Sequence, residues 1–140
     1  MKSSKSLLTF LLIGLFLIAT STTALAAVDA WTTDPATGCK IGVVFLTDGL
    51  TLVSANWSGP TVGGMAEGKG TLQFVYKDKP GTETKVQAEA EMKAGKLDGH
   101  ANIKWSDGDS FDGNYREGQR EGRGVFKVAD GRVYEGEFKN

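Results

Sequence analysis

The sequence predicts an all-β repeat protein made of antiparallel hairpins, and three observations support this fold class. The same short pattern recurs at Ala88, Phe111 and Tyr134, which are spaced by 23 residues. Asp-Gly turn signals separate runs of residues that favour β-structure. Within those runs apolar and polar side chains alternate, as in a strand with one buried face. An internal period of this size sets the architecture before any local motif is considered.

The first segment of the chain, residues 1–26, has the three-part layout of a secretory signal peptide. Two lysines precede an apolar run from Leu7 to Ala19, and a small-residue sequence ends at Ala26. The apolar run is short for a membrane span, which needs about 20 residues. We therefore expect cleavage after Ala26 and export of the mature chain, which would be periplasmic or secreted.

The remaining chain divides into a lead-in segment, residues 27–37, and one repeat domain, residues 38–140. The lead-in has no sustained periodicity, so we interpret it as a leader strand or a flexible segment. From residue 27 onward the chain carries 14 Lys and Arg against 17 Asp and Glu, a formal charge of −3. This acidic balance argues against a nucleic-acid partner, because phosphate binding requires a basic surface.

Turn signals place the tips of the hairpins. Asp48-Gly49, Asp107-Gly108 and Asp130-Gly131 are each expected to form a tight turn with positive φ at both central residues. A longer and more charged tip is predicted from Lys77 to Gly81. It accounts for the eight extra residues between the first and second units of the repeat.

The strands between these tips are predicted to bury alternate residues on one face. Val86–Leu97 favours helix by propensity, but its register with the flanking repeats predicts a strand. Acidic residues such as Glu89 and Asp112 are expected on the solvated face. The predicted core-facing sets are Gly70, Leu72 and Phe74; Ala88, Ala90 and Met92; Ala101, Ile103 and Trp105; Phe111, Gly113 and Tyr115; Gly124, Phe126 and Val128; and Tyr134, Gly136 and Phe138.

The clearest unit, Phe111–Phe126, reads aromatic-x-Gly-x-aromatic-x-x-Gly-x-x-x-Gly-x-Gly-x-aromatic. This unit resembles the MORN repeat. Trp57–Leu72 has the same glycines but Thr61 at the second aromatic position, Ala88–Ile103 is more degenerate, and a truncated copy begins at Tyr134. The resemblance implies about three degenerate repeats plus a truncated one, stacked as hairpins into one elongated, twisted MORN-type sheet.

Glycines at positions 113, 122, 124 and 136 are expected to leave room for aromatic rings to lie flat on the sheet. Burial of each ring contributes about 1.5 to 3 kcal/mol. A single layer has no second sheet to cover the rings, so we expect a partly exposed aromatic face that acts as a contact surface. Its predicted residues are Trp57, Phe111, Tyr115, Phe126, Tyr134 and Phe138.

The leading functional hypothesis is a non-enzymatic exported module that binds a protein partner, or another copy of itself, through this face or an open sheet edge. Two alternatives remain open: the N-terminal segment folds over the aromatic face and buries it, or self-association buries it. The last strand, Glu135 to Asn140, is expected to be a charged edge strand, which discourages accidental pairing.

A second hypothesis is a peripheral membrane module that binds anionic lipid. The resemblance implies it through the association of MORN proteins with membranes, and basic residues around one hairpin are suited to phosphate groups. Glu117 and Glu121 lie among these basic residues, and such mixed charge is also typical of a solvated surface. The candidate anion-binding residues are Arg116, Arg120, Arg123, Lys127 and Arg132.

Cys39 is the single cysteine, so the chain cannot form an intramolecular disulfide. We interpret it as a small buried apolar residue, with an intermolecular bridge or a reactive thiol as alternatives. Gly38-Cys39-Lys40 followed by Trp57-Ser58-Gly59 resembles exported bacterial MORN proteins, some of which have a second cysteine at the position of Thr61. The resemblance therefore implies that a bridge found in some relatives is missing here.

No catalytic constellation, metal site or cofactor is predicted. His100 is the single histidine and is expected at an exposed structural position, and the chain has no Gly-x-Ser-x-Gly nucleophile motif. One histidine and one cysteine are too few typical ligands for a zinc site. The acidic run from Asp107 to Asn114 fails the calcium-loop template at Phe111 and Gly118. The sequence thus predicts a protein that is not an enzyme.

Overall fold

A computed structural model describes residues 28–45 and 49–139 of the chain. The predicted signal peptide and Asp48 lie outside the described residues. The described part contains eleven β-strands and no helix, and hence no helix that could cross a membrane. The strands are β1 Val28–Thr33, β2 Lys40–Phe45, β3 Thr51–Trp57, β4 Thr61–Val62, β5 Met65–Ala66, β6 Gly68–Lys77, β7 Glu83–Lys93, β8 Lys96–Trp105, β9 Ser110–Arg116, β10 Gln119–Lys127 and β11 Val133–Phe138.

The larger sheet has seven strands in the order β11-β10-β9-β8-β7-β6-β3, and every neighbouring pair is antiparallel. Ala88 on β7 lies between Leu72 on β6 and Ile103 on β8. The all-β fold of stacked hairpins is therefore confirmed, and so is the strand interpretation of the Ala- and Glu-rich segment. Tertiary context overrides helix propensity there because alternate residues of β7 are buried.

The two-residue turns lie at positions other than the Asp-Gly pairs that were used to predict the hairpin tips. Ala94 and Gly95 join β7 to β8 with φ of 48° and 82°, and Glu117 and Gly118 join β9 to β10 with φ of 49° and 84°. Positive φ at both central residues is the signature of a type I′ turn. The Gly63-Gly64 turn between β4 and β5 has the same feature.

The Asp-Gly pairs form a different turn from the predicted one. At the β8–β9 tip only Gly108 has a positive φ, and the Gly108 N–H donates to the carbonyl of Trp105 at 3.1 Å. This is a three-residue loop with glycine in the left-handed region. The β10–β11 tip repeats it, because the Gly131 N–H donates to the carbonyl of Val128 at 2.9 Å. Asp-Gly marked the tip correctly but not its conformation.

Hairpins stack in register through a repeated bond between tips. The Gly95 N–H donates to the carbonyl of Ala66 at 3.0 Å, and the Gly118 N–H donates to the carbonyl of Leu97 at 2.7 Å. Ala66 and Leu97 occupy equivalent positions of successive units, as do Gly95 and Gly118. Each two-residue turn therefore anchors to the hairpin before it.

The glycine prediction holds at three of the four positions. A Cβ at Gly113 would lie 2.6 Å from Phe111 Cζ, one at Gly124 would lie 2.9 Å from the same ring, and one at Gly136 would lie 2.9 Å from the Tyr134 hydroxyl. Rings do lie against these glycines. Gly122 was wrongly included, since a Cβ there would meet nothing within 4 Å. Its φ of 74° instead serves an irregularity in the β9–β10 pairing.

A second, four-stranded sheet in the order β1-β2-β5-β4 adds to the single sheet that was expected. The lead-in segment supplies β1, which pairs antiparallel with β2. Strand β2 then pairs in parallel with β5 at Lys40 and Met65. Strands β4 and β5 correspond to the distal part of the first repeat hairpin, which Pro60 separates from β3. The N-terminal hairpin thus attaches to the first repeat unit.

Candidate interaction surface

The apolar face of the seven-stranded sheet, here called the core face, has two halves with different covers. Over the first half lies the β1–β2 hairpin, here called the N-terminal cover, which contacts β3 and β8. Its residues Cys39, Ile41 and Val43 are buried in one cluster with Trp57 and Leu97. The possibility that the N-terminal segment folds over the face is therefore realised for this half. Cys39 is a buried free thiol, 1% exposed, as its apolar interpretation predicted.

A buried carboxylate fastens the N-terminal cover to the sheet. The Trp57 backbone N–H donates to Asp34 Oδ2 at 2.8 Å, and the N–H groups of Ala36 and Thr37 donate to Asp34 Oδ1 at 2.7 and 3.3 Å. Burial by itself raises the pKa of Asp34, but these backbone hydrogen bonds together bring the pKa below its ordinary value. Asp34 is therefore held as an anion at neutral pH.

A second fastening lies at the other end of the N-terminal cover. The Gly42 N–H donates to the carbonyl of Gly95 at 2.7 Å. Trp31 packs across Gly42 and Gly95, whose Cβ positions would lie 3.0 and 2.8 Å from its ring. Lys96 Nζ lies 5.6 Å from the centre of that ring and 2.6 Å from Asp29 Oδ2. Close packing, a backbone bond and an ion pair together seat the hairpin over the turn of β7–β8.

The second half of the core face is a cluster of aromatic rings. The Phe111 ring meets Phe138 edge to face at 5.1 Å and 88°, and it meets Tyr115 in the same way at 5.5 Å and 87°. Tyr134 meets Phe138 at 5.2 Å and 84°. Edge-to-face pairs of this kind contribute about 0.5 to 1.5 kcal/mol each beyond burial. The rings therefore cover one another without a second layer.

Arg120 lies on top of this cluster, and the N-terminal cover does not extend to it. Its guanidinium carbon is 4.7 Å from the ring centre of Phe111, 5.1 Å from Phe126, 5.7 Å from Trp105 and 5.9 Å from Phe138. The Nε–H also donates to the Tyr115 hydroxyl at 3.3 Å. These distances are typical of cation–π contacts. One half-buried cation therefore takes the place of a second sheet.

The exposure expected of the aromatic face is wrong for four of its six residues. Phe111 and Phe126 are 1% exposed, Trp57 is 3% exposed and Phe138 is 9% exposed. The expectation failed because the rings interlock and because the N-terminal cover closes over Trp57. Tyr115 and Tyr134 are half-buried.

One further half-buried ring, Trp105, was not among the predicted binding residues. It lies 6.0 Å from Phe126 and beneath Arg120. The core-facing alternation of β8 had already placed it on this face, which was the signal that could have identified it. We call Trp105, Tyr115 and Tyr134 the ring patch.

The candidate anion-binding residues do not converge. Arg116 pairs with Glu121 at 3.3 Å, Arg123 pairs with Glu135 at 3.5 Å, and Arg132 pairs with Asp130 at 2.7 Å. Arg123 and Lys127 alternate with buried residues of β10 and so point to the opposite face from Arg120. The basic residues are therefore divided between two faces and a hairpin tip, and three arginines already have acidic partners.

The outer face carries polar side chains without a catalytic arrangement. His100 Nε2 lies 3.0 Å from Asp112 Oδ1, and Asn102 donates to Asp112 Oδ2 at 2.7 Å. These two hydrogen bonds are the main reason that the pKa of Asp112 lies below its ordinary value. Within residues 28–45 and 49–139 the hydrogen bonds of His100 reach no hydroxyl or thiol, and no cluster suited to a metal ion occurs. His100 is exposed, as predicted.

A comparison with family models identifies the repeat. The MORN repeat model matches residues 62–75, 89–110 and 111–131. The last match spans almost all of the β9–β10 hairpin, and the second covers the end of β7 and all of β8. The first begins at Val62, beyond the Pro60 interruption. A search of curated proteins found no match to the chain.

Proposed function

This chain is a MORN-repeat protein, and we propose that it is an exported, non-enzymatic module that binds a protein partner through the ring patch. MORN repeats generally mediate interactions with proteins or membranes and are not typically enzymatic.

The observation that carries this proposal is the unequal covering of the core face. The first half is closed by a hairpin held through Asp34 and Gly42. The second half keeps Trp105, Tyr115 and Tyr134 half-buried, and a single side chain, Arg120, lies over Trp105 and donates to the Tyr115 hydroxyl. Aromatic residues and arginine are enriched where protein interfaces concentrate their binding energy. A contact surface is therefore best supported at the ring patch.

The experiment compares two double variants as bait against the native extract, using the chain that starts at Ala27. Tyr115→Ser with Tyr134→Ser removes two rings of the patch. Asn114→Ser with Val133→Ser changes their neighbours on the outer face, where Val133 is 56% exposed. We expect a protein that wild type and the outer-face variant both retain and the ring-patch variant loses. The same proteins on all three baits would contradict the proposal.

Anionic lipid is the alternative occupant, and it predicts a different result. Because three of the arginines are paired with carboxylates, we expect weak binding to phosphatidylserine vesicles that disappears as salt is added. Sedimentation of vesicles over a salt series measures this. Tight binding that the ring-patch variant abolishes would replace the protein partner with a membrane.

Self-association is separated by light scattering of the mature chain and the Tyr134→Ser variant over a range of concentrations. A wild-type dimer that the substitution dissociates would make a second copy the partner. A monomer at high concentration removes that version of the proposal.

Export rests on residues 1–26 alone. We expect the protein purified from its native source to begin at Ala27 and to be recovered from the periplasmic or secreted fraction. N-terminal sequencing checks the first statement and fractionation the second. An intact Met1 in the cytoplasmic fraction would contradict export and leave the binding surface unaffected.

A further inference from the structure

We propose that Arg120 is the point at which this surface receives a carboxylate, so that the partner is a protein segment with an acidic side chain next to an apolar one. The inference rests on the proposed function, because it assigns the chemistry of the partner at the same ring patch.

Arg120 differs from three other arginines of the repeat domain in its charged neighbours. Arg116, Arg123 and Arg132 each lie within 3.5 Å of a carboxylate oxygen. In the part of the chain that the structure describes, Arg120 has no acidic partner, although it is more buried than Arg116 and Arg123. A half-buried cation without an anion is the group that gains most from an incoming one, since the local dielectric is lower there than in water.

The guanidinium of Arg120 presents hydrogen-bond donors that suit a carboxylate. Arginine has five N–H donors in a planar fork that fits a carboxylate with two parallel hydrogen bonds. The Nε–H of Arg120 reaches the Tyr115 hydroxyl, and among the described residues neither terminal nitrogen has a hydrogen-bond acceptor. Contacts with the rings of Phe111 and Phe126 restrain the side chain. The terminal donors are therefore positioned before a ligand arrives, which lowers the entropy cost of binding.

The position of Arg120 in the repeat is occupied by apolar residues in the preceding units. Ala66, Leu97 and Arg120 occupy the same position of successive units, and the first two are buried apolar residues in one cluster with residues of the N-terminal cover. An apolar residue would cover the rings of Phe111 and Phe126 as well as arginine does. Arginine instead adds a charge in a unit that lies outside this cover. The charge is thus placed where an external group can reach it.

Geometry favours a protein carboxylate over a lipid headgroup. Binding to an anionic membrane requires several basic groups on one surface, each contributing about 1 kcal/mol. Among the described basic residues of this hairpin, Lys127 lies on the opposite face from Arg120 and Arg116 is paired to Glu121. A single cation among rings instead suits one carboxylate accompanied by an apolar side chain that packs on Trp105.

A matched pair of small probes tests the chemistry directly. 3-Phenylpropionate carries a ring and a carboxylate, and 3-phenylpropionamide has the same shape without the charge. We expect the acid to shift the NMR signals of the Arg120 Nε–H and the Trp105 indole and to bind about tenfold more tightly than the amide. Arg120→Gln should abolish the difference, whereas Arg120→Lys should retain part of it because the charge remains without the fork.

A displayed library of random heptapeptides separates this inference from the proposed function. Enrichment of Asp or Glu beside an apolar residue on the wild-type chain, lost with Arg120→Gln, supports the inference. Peptides enriched without acidic residues, or equal affinity for acid and amide, would overturn the inference and leave the ring patch as a binding surface. No enrichment of wild type over the Tyr115→Ser, Tyr134→Ser variant would overturn both.

Two controls complete the experiment. Near-UV circular dichroism and the midpoint of thermal unfolding establish that Arg120→Gln is folded, and selectivity between acid and amide is a readout that a purely structural arginine would not change. Phosphatidylserine vesicles form the last arm. Tight vesicle binding that Arg120→Gln removes would assign the anion to a lipid and overturn the peptide carboxylate.

Discussion

The Trp57 and Phe111 units each pack an aromatic ring against two equivalent glycines, but they differ in what lies above the ring. Cβ positions at Gly59 and Gly70 would lie 2.3 and 2.9 Å from the Trp57 ring, and those at Gly113 and Gly124 would lie 2.6 and 2.9 Å from Phe111. Above Trp57 lies a hairpin fixed by Asp34, and above Phe111 lies Arg120. The glycines of the repeat therefore determine where the ring packs. Residues that the repeat pattern does not specify determine whether a partner can reach the ring.

The unit between them supports this interpretation. Ala88 stands where the flanking units have an aromatic ring, and Ala90 and Ala101 stand where they have glycines. Without a ring there is no clash for a Cβ to cause, so ring and glycines are lost together. All three alanines are buried, and the paired strands stay in register. Degeneration of the pattern thus follows packing rules, and the sheet continues through it.

The largest expected effect on stability comes from adding a Cβ to a glycine that packs against the ring in the covered half. In Gly70→Ala the new Cβ would lie 2.7 Å from the backbone of Gly59 and 2.9 Å from Trp57. Neither can retreat, because Trp57 is buried beneath the N-terminal cover. We expect a loss of about 3 kcal/mol in the free energy of unfolding, measured by denaturant titration.

Gly136→Ala is the matched substitution in the uncovered half. Its Cβ would meet the hydroxyl of Tyr134, a half-buried side chain that can move. We expect stability within about 1 kcal/mol of wild type. Equal losses of unfolding free energy for Gly70→Ala and Gly136→Ala would show that the N-terminal cover does not restrict movement of the ring beneath it. The two halves of the core face would then not differ in this respect.

The next largest effect tests the fastening of the cover. Asp34→Ala leaves the buried Trp57 N–H without its acceptor and should cost about 2 kcal/mol. Asp29→Ala breaks the partly exposed ion pair with Lys96 on the same hairpin and should cost less than about 1 kcal/mol. A loss at Asp34 no larger than that at Asp29 would contradict the role assigned to the buried carboxylate.

Acid provides a second measurement on Asp34. Its pKa is lower in the folded protein than the ordinary value of 3.8. The stability that it contributes is therefore fully present above the unfolded value and is lost as the pH falls through the folded value. Asp34→Asn should flatten this part of the stability profile below pH 3.8. A profile as steep as that of wild type would assign the acid sensitivity to other groups.

The sequence predicted the parts of the fold that depend on local periodicity. Alternation assigned the buried faces of β6 to β11 correctly, including β7, where propensity favoured a helix. Turn conformation was predicted less well, because the positive φ of Ala94 and Glu117 is imposed by hairpin pairing at residues that rarely adopt it. Local composition carries little information on such positions.

The covers could not be predicted, because they depend on contacts between distant residues. The bond from Trp57 to Asp34 joins residues 23 positions apart, and Asp34 lies in the lead-in segment, where the sequence has no periodic signal. Arg120 was assigned to an anion-binding group by its charge, whereas its main contacts are rings on three other strands. Charge and spacing placed it near the candidate surface without revealing what it touches.

A smaller effect is expected from replacing the cover of the second half. Arg120→Leu introduces the residue that occupies the equivalent position of the preceding unit, Leu97. Lost cation–π contacts cost about 0.5 to 1 kcal/mol at a half-exposed site, and added apolar burial offsets them. We expect the midpoint of thermal unfolding to change little. A loss above about 2 kcal/mol would mean that Arg120 is primarily structural, and would weaken its assignment to a ligand.

The smallest expected effect on stability concerns Asp109, the buried carboxylate of the second half, which differs from Asp34 in the first half. Asp109 is 5% exposed at the β8–β9 tip, and the Ala129 N–H donates to its Oδ1 at 3.0 Å. Burial, with the nearby carboxylates of Asp107 and Asp130, raises the pKa of Asp109, the opposite of Asp34. Its charge therefore lowers stability above the folded pKa, and this penalty disappears as the pH falls towards 3.8.

Asp109→Asn keeps an acceptor for the Ala129 N–H and removes the buried charge. We expect a gain of about 0.5 kcal/mol at pH 7 that vanishes in acid, measured by denaturant titration across pH. A loss at pH 7 would mean that attraction to Arg132 outweighs burial and repulsion. In that case both halves would be fastened by anions, and the contrast between them would be limited to what covers their rings.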